Sequence, residues 1–406
     1  MKIKVYRPNQ IGGCITEIES KNGTRIIIDV GSELQGMESG EKIDVNDLTK
    51  GCAGVFLTHY HGDHAGEFTN VHPDTDIYMG EVAQKIFYTL QKRLSKSTKV
   101  TGVKPEDTER IKSFITFRQG DTITLGDMEI KPIRTDHSAF DSYMFLIDDG
   151  ERRVLHTGDF RSHGKVGEKS FKYIENNVGK VNALITEGTM LSRASEGVDT
   201  EEELMEKAKE LLKNKDHKYV FIMCSSTNID RIASFYHINT ELGGRLFVTD
   251  SYQNSVLKEV TENSAEYGDY YDFSQSVSFD KDVHFDDMHT NGFFMLVRNN
   301  PFSEKFLYSR NFSEGKLFIY SMWKGYLEGK AKNKELAKIV PDNYKYMHTS
   351  GHATEEAICR LCRIVDTPIV FPIHSDRTDR FDELKEDGKI TGDIRRFMHS
   401  GECKEI

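Results

Sequence analysis

The chain has 406 residues, of which 37% are hydrophobic and 29% charged, and its formal net charge is −11. This length allows two or more domains with their own cores, and the composition excludes a disordered chain. No apolar run approaches the roughly 18–20 residues that span a bilayer. Met1–Tyr6 alternates like a strand and lacks the apolar core of a signal peptide, so we expect a cytoplasmic protein with no membrane partner.

The first part of the chain predicts short strands with few helices. Ile15–Glu19 and Arg25–Val30 alternate on either side of a turn signal, Lys21-Asn22-Gly23. Ala53–Thr58 is a compact apolar run that predicts a buried strand, and Glu81–Ser95 has helical spacing. Further strands are expected at Met128–Thr135, Tyr143–Asp148, Arg153–Thr157 and Ala183–Thr186. This pattern favours packed sheets flanked by helices.

After Glu187 the pattern changes to alternating helices and strands. The expected elements are the helix Thr200–Lys215, the strand Tyr219–Met223, the helix Ile229–Leu242, the strand Arg245–Thr249 and the helix Asn254–Tyr267. Such alternation predicts a βαβ domain with a largely parallel sheet. From about Met347 the chain returns to histidine-bearing motifs. The sequence therefore predicts an α/β protein in which residues 190–346 are inserted into a domain formed by residues 1–189 and 347–406.

The segment from His59 to His64, with the sequence HYHGDH, directly follows a predicted buried strand. Its three imidazoles and one carboxylate are ligands suited to zinc or manganese. On an extended segment His59 and His61 point the same way, because side chains alternate with period two. Asp63 and His64 follow at a turn that Gly62 allows, where they can reach a second ion. Four potential ligands in this order predict a metal site.

Further side chains of ligand type follow other predicted strands. His137 comes after Met128–Thr135, Asp159 comes after Gly158 at the end of another strand, and His374 follows an apolar run. Each of them alone is as readily structural as functional. Together they supply the additional ligands that a two-metal site requires.

The order H-x-H-x-D-H, then a lone histidine, then Gly-Asp, resembles the metallo-β-lactamase superfamily. The resemblance implies an αββα sandwich that binds two divalent ions, with zinc expected and manganese as the alternative. It implies that one ion is held by His59, His61 and His137, that the other is held by Asp63, His64 and His374, and that Asp159 bridges them. In the di-iron redox branch of this fold a glutamate usually stands at the position of His61, so we expect hydrolysis instead.

Later motifs resemble the β-CASP family, the nucleic-acid-processing branch of that superfamily, and are closest to those of ribonuclease J-like enzymes. They are the acid in Leu184–Thr189, the form H-x-S-G-H in Met347–Ala353, and the final histidine of the metal set. The resemblance implies that the inserted domain is of β-CASP type. It also implies that Asp63, Glu187 and His352 are catalytic, with His352 as general acid and Glu187 as its hydrogen-bond partner.

The same resemblance implies phosphate-binding residues. Thr227, Asn228 and Arg231 would hold a terminal phosphate, because hydroxyl, amide and guanidinium groups at the start of a helix bind anions. The alternative for this loop is an ordinary helix N-cap by Ser226 or Thr227. His348 and Ser350 would bind the phosphate of the neighbouring nucleotide.

The expected activity is hydrolysis of phosphodiester bonds in single-stranded RNA, with DNA as the alternative partner. The net charge of −11 opposes a large nucleic-acid footprint, because non-specific binding depends on a positive surface. Two bound cations would reverse the field in the active site itself. The competing hypothesis is a hydrolase of small esters or phosphodiesters. The choice of metal, endonuclease or exonuclease action, and the oligomeric state stay open at this stage.

Overall fold

The computed structural model describes residues 1–34, 40–96, 103–193, 198–213, 216–279, 285–329 and 332–406. The chain divides into two compact units, one formed by Met1–Gly197 with Gly351–Ile406 and the other by Val198–Ser350. The sequence predicts an insertion of residues 190–346, whereas the second unit begins at Val198 and ends at Ser350. His348 and Ser350 therefore belong to the second unit, and His352 belongs to the first.

Within the described ranges, the first unit contains two seven-stranded sheets. The first sheet comprises β1 (Lys2–Tyr6), β2 (Ile15–Glu19), β3 (Arg25–Ile28), β4 (Gly54–Phe56), β5 (Ile77–Gly80), β6 (Ile115–Phe117) and β20 (Glu402–Glu405). The second comprises β7 (Ile123–Leu125), β8 (Met128–Thr135), β9 (Ser142–Asp148), β10 (Arg153–His156), β11 (Ala183–Glu187), β18 (Ile369–Ile373) and β19 (Asp393–Ile394). Their strand orders are β20-β1-β2-β3-β4-β5-β6 and β19-β18-β11-β10-β9-β8-β7.

The two sheets share a core formed by side chains from both. Phe56 of β4 meets Phe145 of β9 edge to face, with 5.5 Å between ring centroids. Ile18, Ile28 and Ile185 belong to the same buried cluster. A second core lies between the second sheet and helices. The sheets and helices together form the αββα sandwich that the sequence predicts.

The helices of this unit are mostly short. They are α1 (Val45–Thr49), α2 (Gly62–Ala65), α3 (Glu81–Leu94), α4 (Pro105–Ile111), α5 (Gly167–Asn177), α12 (Glu355–Ile364) and α13 (Arg380–Glu386). Helix α3 packs at β5 and β6, while α5, α12 and α13 contribute to the core on the second sheet. No helix in the described ranges of the chain is both long and apolar enough to span a membrane.

The second unit is a six-stranded sheet with helices, as counted over its described residues. Its strands are β12 (Tyr219–Met223), β13 (Leu246–Thr249), β14 (Ser276–Ser278), β15 (Phe293–Val297), β16 (Lys316–Tyr320) and β17 (Lys345–Tyr346), in the order β14-β13-β15-β12-β16-β17. Its helices are α6 (Glu201–Leu212), α7 (Ile229–Glu241), α8 (Ser251–Asn263), α9 (Phe285–Asn291), α10 (Pro301–Leu307) and α11 (Lys334–Ile339). All strand pairings in it are parallel, which confirms the predicted kind of sheet.

The predicted and observed ends of some helices and strands differ, because side-chain hydrogen bonds that the hydrophobic pattern does not show determine them. The strand predicted at Ala53–Thr58 is observed as the shorter β4. The Thr58 N–H donates to the Asp29 carboxylate and not to a neighbouring strand. The helix predicted to start at Asn254 starts three residues earlier, because the Asp250 side chain caps it by accepting from the Gln253 N–H. The predicted helix Thr200–Lys215 is observed as α6, and its last two residues lie outside the described ranges.

Candidate metal centre and active site

The strand directions bring the ends of distant segments together. Strand β9 is antiparallel to both β8 and β10, β11 is parallel to β10, and β18 is parallel to β11. The carboxyl ends of β8, β10, β11 and β18 therefore meet at one edge of the second sheet. His137, Asp159, Glu187 and His374 lie at or just after these ends. This topology gathers residues that are far apart in sequence.

Three histidines form the first group of potential ligands. His59 and His61 follow β4, and His137 follows β8. Their ligand nitrogens all lie within 4.8 Å of one another. The His61 Nδ1 is 3.2 Å from the His137 Nε2. These are the three residues that the resemblance assigns to one ion.

The second group consists of Asp63, His64 and His374, whose ligand atoms also lie within 4.8 Å of one another. The Asp63 Oδ2 is 3.4 Å from the His374 Nε2. The Asp159 Oδ2 lies 3.1 Å from the His64 Nε2 and 3.9 Å from the His137 Nε2, and so stands between the two groups. All seven predicted ligands are thus brought together in the first unit.

The buried carboxylate of Asp29 orients two of these imidazoles. Its Oδ2 accepts the Nδ1 proton of His64 at 2.8 Å and is also bonded by the Thr58 hydroxyl at 2.9 Å. Because the Thr58 hydroxyl donates to Asp29, its oxygen is left to accept from the His59 Nδ1 at 3.0 Å. When each ring is neutral, its Nε2 is unprotonated and faces the centre, which is the tautomer that a metal requires.

Two further contacts orient His137 and His374 in the same way. The His137 Nδ1 donates to the Gly351 carbonyl at 2.5 Å. The Thr189 hydroxyl donates to the His374 backbone carbonyl at 3.2 Å and can accept from the His374 Nδ1 at 2.9 Å. Their Nε2 atoms also face the centre.

The donor set fits divalent cations. The Nε2 atoms of His59, His64 and His374 and the Oδ1 of Asp159 are buried and have no hydrogen bond with any described residue. Buried polar atoms are normally satisfied, so a converging group of unsatisfied nitrogens and a carboxylate oxygen indicates an absent partner. Imidazole and carboxylate together match zinc or manganese.

Electrostatics divide the histidines into two kinds. Burial, reinforced by neighbouring imidazoles, holds the pKa of His59 well below 6.5, and burial does the same to the pKa of His137. Burial also lowers the pKa of His64, but the carboxylates of Asp159 and Asp29 outweigh it and raise that pKa well above 6.5. A bound cation would take the place of the His64 proton, because metal ligands bind in their deprotonated form.

The turn that carries Asp159 is held by tight packing. Gly158 has φ +53°, and a side chain there would lie 2.7 Å from the Thr58 Cγ2, so glycine is required. The Gly158 N–H donates to the His156 Nδ1 at 3.1 Å. Burial lowers the pKa of His156 to about 3, which keeps this ring neutral and able to accept. The His156 Nε2 contacts the Thr16 hydroxyl at 3.1 Å.

A buried ion pair joins this turn to the segment that carries His137. The Arg161 Nε lies 2.6 Å from the Asp136 Oδ1, and both side chains are fully buried. The Arg161 N–H also donates to the Asp136 carbonyl at 2.7 Å. Removing one partner of such a pair would leave a buried charge unpaired, so the pair holds His137 and Asp159 in a common frame.

Glu187 and His352 form a pair beside the metal ligands. The His352 Nδ1 is 3.2 Å from the Glu187 Oε2 and 3.5 Å from the Asp159 Oδ2. Burial lowers the pKa of His352, but Glu187 and Asp159 outweigh it and raise that pKa to about 9. The Glu187 carboxylate also accepts from the Phe160 and Ala353 backbone N–H groups, which hold it in place. The pair is thus a positioned acid next to the predicted ligands.

The predicted phosphate-binding residues lie in the second unit, and two of them have other partners. The Asn228 Oδ1 accepts from the Arg231 backbone N–H at 3.1 Å, so the N-cap of α7 is Asn228 and not Ser226 or Thr227, which the alternative predicts. Arg231 has 0% exposed surface, and its guanidinium bonds to both Glu201 carboxylate oxygens at 2.8 and 3.0 Å. The phosphate role predicted for Asn228 and Arg231 stays a prediction, and in this structure the Asn228 Oδ1 and the Arg231 guanidinium have partners within the second unit.

The remaining predicted phosphate-binding residues are Thr227, His348 and Ser350, and their phosphate role stays a prediction. Thr227 is buried near the start of α7, with its hydroxyl 3.1 Å from the Ser225 hydroxyl. His348 and Ser350 are half-buried. Arg231 donates to the backbone carbonyls of Met347 and Thr349, both at 3.4 Å, and so supports the segment that carries His348.

Sequence reasoning missed several residues that position the ligands. Asp29 follows the apolar strand β3, and an acid just after a strand is the same signal that identified Asp159. Asp29 and His374 have positive φ values of 61° and 48°, which are uncommon without glycine and mark constrained positions. Thr189 and Arg161 carry no sequence signal, because their roles depend on partners far away in the chain.

Comparisons with known proteins agree with this architecture. The model of the metallo-beta-lactamase superfamily matches residues 15–221, just over half of the 406 residues, and the chain belongs to this superfamily. Its members are mostly metallohydrolases. No curated protein matches the chain. A crystal structure of a protein of unknown function from Enterococcus faecalis V583 has a similar fold, with a TM-score of 0.71, 19% sequence identity and 99% of each chain covered.

We predict that Asp29→Asn weakens metal binding by about 10- to 100-fold. Asp29 accepts from the Thr58 N–H on one oxygen and from the Thr58 hydroxyl and the His64 Nδ1 on the other, and an amide replaces one of these acceptors with a donor. The affinity is measured by competition with a chromophoric chelator. Asp74→Asn is the matched control, because the Asp74 side chain is 92% exposed. Equal affinities of the Asp29 and Asp74 variants would show that Asp29 does not orient a ligand.

We also predict that chelation of bound metal lowers the thermal unfolding midpoint, and that Zn²⁺ or Mn²⁺ restores it. A ligand present at 100 times its dissociation constant stabilises the folded state by about 2.7 kcal/mol. A His374→Gln variant should respond less, because it lacks one buried ligand nitrogen. The metal-site assignment fails if wild-type protein unfolds at the same temperature with and without metal.

Proposed function

We propose that the chain is a two-metal phosphodiesterase of the β-CASP type that hydrolyses single-stranded RNA. One ion would be held by His59, His61 and His137, and the other by Asp63, His64 and His374, with Asp159 between them. Zn²⁺ is the expected metal and Mn²⁺ the alternative, since both accept imidazole and carboxylate ligands. The observation that carries the proposal is the Glu187–His352 pair beside this ligand set.

In the proposed mechanism, the divalent ions when bound supply a water molecule of lowered pKa and positive charge that stabilises the transition state. The residues of the chain manage the proton of the leaving group. His352 is 25% exposed on its side chain, so it is reachable from solvent while its Nδ1 is held by Glu187. His352 donates a proton to the leaving oxygen as general acid. Glu187 fixes the orientation of the ring and keeps it protonated at neutral pH.

Two features bear on the substrate. The motifs around Glu187 and His352 resemble those of ribonuclease J-like enzymes, which favours a nucleic-acid phosphodiester. The Arg231 guanidinium and the Asn228 Oδ1 have internal partners, so a preference for a 5′-phosphate would come from the Thr227 hydroxyl, the Asn228 amide nitrogen and backbone N–H groups at the start of α7. Cleavage within the chain and cleavage from its end are therefore both compatible with the proposal.

The proposal is tested by incubating the metal-loaded protein with single-stranded RNA that carries either a 5′-monophosphate or a 5′-hydroxyl. Cleavage of either RNA supports the proposal, and the product lengths distinguish endonuclease from exonuclease action. Turnover of bis(p-nitrophenyl) phosphate without cleavage of RNA or DNA would overturn it in favour of a small-phosphodiester hydrolase.

We predict that His352→Ala lowers kcat by about 10²- to 10⁴-fold while two metals per chain remain bound, because the variant removes a general acid and no ligand. Metal content is measured by elemental analysis of the same preparation. Loss of metal from His352→Ala would assign this residue to the ligands. His289→Ala is the matched control, because this histidine lies on α9 in the other unit and should leave kcat unchanged.

A further inference from the structure

The charge of the second unit is strongly divided along its sequence. Residues 259–287 contain nine acidic residues and one lysine, a formal charge of −8. Residues 316–350 contain seven lysines and three acidic residues, a formal charge of +4, in a chain whose net charge is −11. A basic segment in an acidic chain can attract an anionic partner locally, because the charge distribution influences association with charged partners.

The sheet separates these two segments. Strand β14 lies in the acidic segment and forms one edge of the six-stranded sheet. Strands β16 and β17 lie in the basic segment, and β17 forms the opposite edge. The two edge strands of this sheet therefore lie in sequence segments of opposite formal charge.

Aromatic side chains lie at the end of the basic edge. Tyr346 of β17 and Tyr326 after β16 are 45% and 40% exposed, and both belong to the few large hydrophobic residues exposed among the described ones. The Tyr346 ring packs on the buried Tyr320 ring, with 6.3 Å between centroids and 24° between planes. Trp323 packs edge-on against Tyr326 at 5.4 Å. We call Trp323, Tyr326 and Tyr346, on their support Tyr320, the aromatic patch.

Lysines accompany these rings. Lys345 is adjacent to Tyr346, is exposed, and forms no ion pair with the described residues of the chain. Lys324 is adjacent to Trp323 and exposed, and its Nζ is 3.5 Å from the Glu328 carboxylate, an exposed pair of little strength. Exposed aromatic faces beside lysines are the combination that binds single-stranded nucleic acid, since bases stack on rings while lysines contact phosphates.

We propose that the aromatic patch and its flanking lysines bind single-stranded nucleic acid by stacking bases on Tyr326 and Tyr346. This inference rests on the proposed function and extends it by naming a surface of the second unit that binds the substrate chain. It also reconciles a polyanionic substrate with a net charge of −11, because the sequence segment that carries the aromatic patch has a formal charge of +4.

The test is the binding of a fluorescein-labelled, phosphorothioate-linked single-stranded RNA of about 12 nucleotides, followed by anisotropy with the full-length, metal-loaded protein. We expect Tyr326→Leu and Tyr346→Leu each to weaken binding at least fivefold, because leucine keeps apolar bulk but offers no ring. Tyr346→Phe should bind like wild type. The matched control is Tyr308→Leu, since Tyr308 is 57% exposed in the same unit and lies outside the patch.

Lysine variants test the electrostatic half of the inference. Lys324→Gln with Lys345→Gln should reduce the salt dependence of binding, with a slope change of about 1.4 on a log–log plot for single strands. An unchanged slope, or equal affinities for the Leu and Phe variants of Tyr346, would overturn the inference. Competition by poly-glutamate as effective as that by unlabelled RNA would also overturn it, because it would reveal an unselective anion surface.

Failure of this inference is distinguishable from failure of the proposed function. If wild-type protein cleaves RNA and the tyrosine variants bind it as tightly as wild type, the surface is wrong and the phosphodiesterase stands. If the RNA binds in a tyrosine-dependent manner but is never cleaved, the surface is right and the activity is wrong.

Discussion

The metal centre depends on where the imidazole protons point. A neutral histidine has one N–H and one lone pair, and only the lone pair can bind a cation. The fold fixes this choice for four of the five histidines by giving their Nδ1 atoms partners outside the ligand group. Asp29 serves His64 directly and His59 through Thr58, whereas the His61 Nδ1 faces the His137 Nε2. The lone pairs then converge, which is unfavourable without a positive charge between them. Folding and metal binding are therefore linked, because the site that the fold builds needs a cation to be satisfied.

The parallel strands of the second sheet also bring acidic residues to the candidate metal centre. Asp159 follows one strand and Glu187 ends the next, so two carboxylates are brought to a single edge. Asp159 stands between the two ligand groups, and Glu187 faces His352. The pairing of β10 with β11 sets the spacing of the two acids, and His352 stands just before α12. A ligand set with an adjoining acid–histidine pair suits transfer of a proton to a leaving group.

The second unit contributes in a different way. Its buried Arg231–Glu201 pair is part of its internal framework, and its two edge strands lie in sequence segments of opposite formal charge. A positive edge in a negative chain directs where a polyanion can lie, because exposed charges act over about a Debye length of 10 Å or less at moderate salt. Under the proposed function, the first unit carries the metal ligands and the second unit carries the basic and aromatic residues that bind the substrate.

The sequence alone determined what is local. HYHGDH after an apolar run identified four ligands, and residues just after strands identified His137, Asp159 and His374, because a strand end places the next side chain at a sheet edge. Strand and helix positions followed from hydrophobic periods. What only the tertiary structure decided is the partner of each side chain. Arg231 is thirty positions from Glu201 in the sequence, and Thr189 is 185 positions from His374. No sequence pattern therefore predicts the Arg231–Glu201 ion pair or the hydrogen bond that orients His374. Each donor bonds to an acceptor that is near it in space, and the sheet topology decides which residues are near one another.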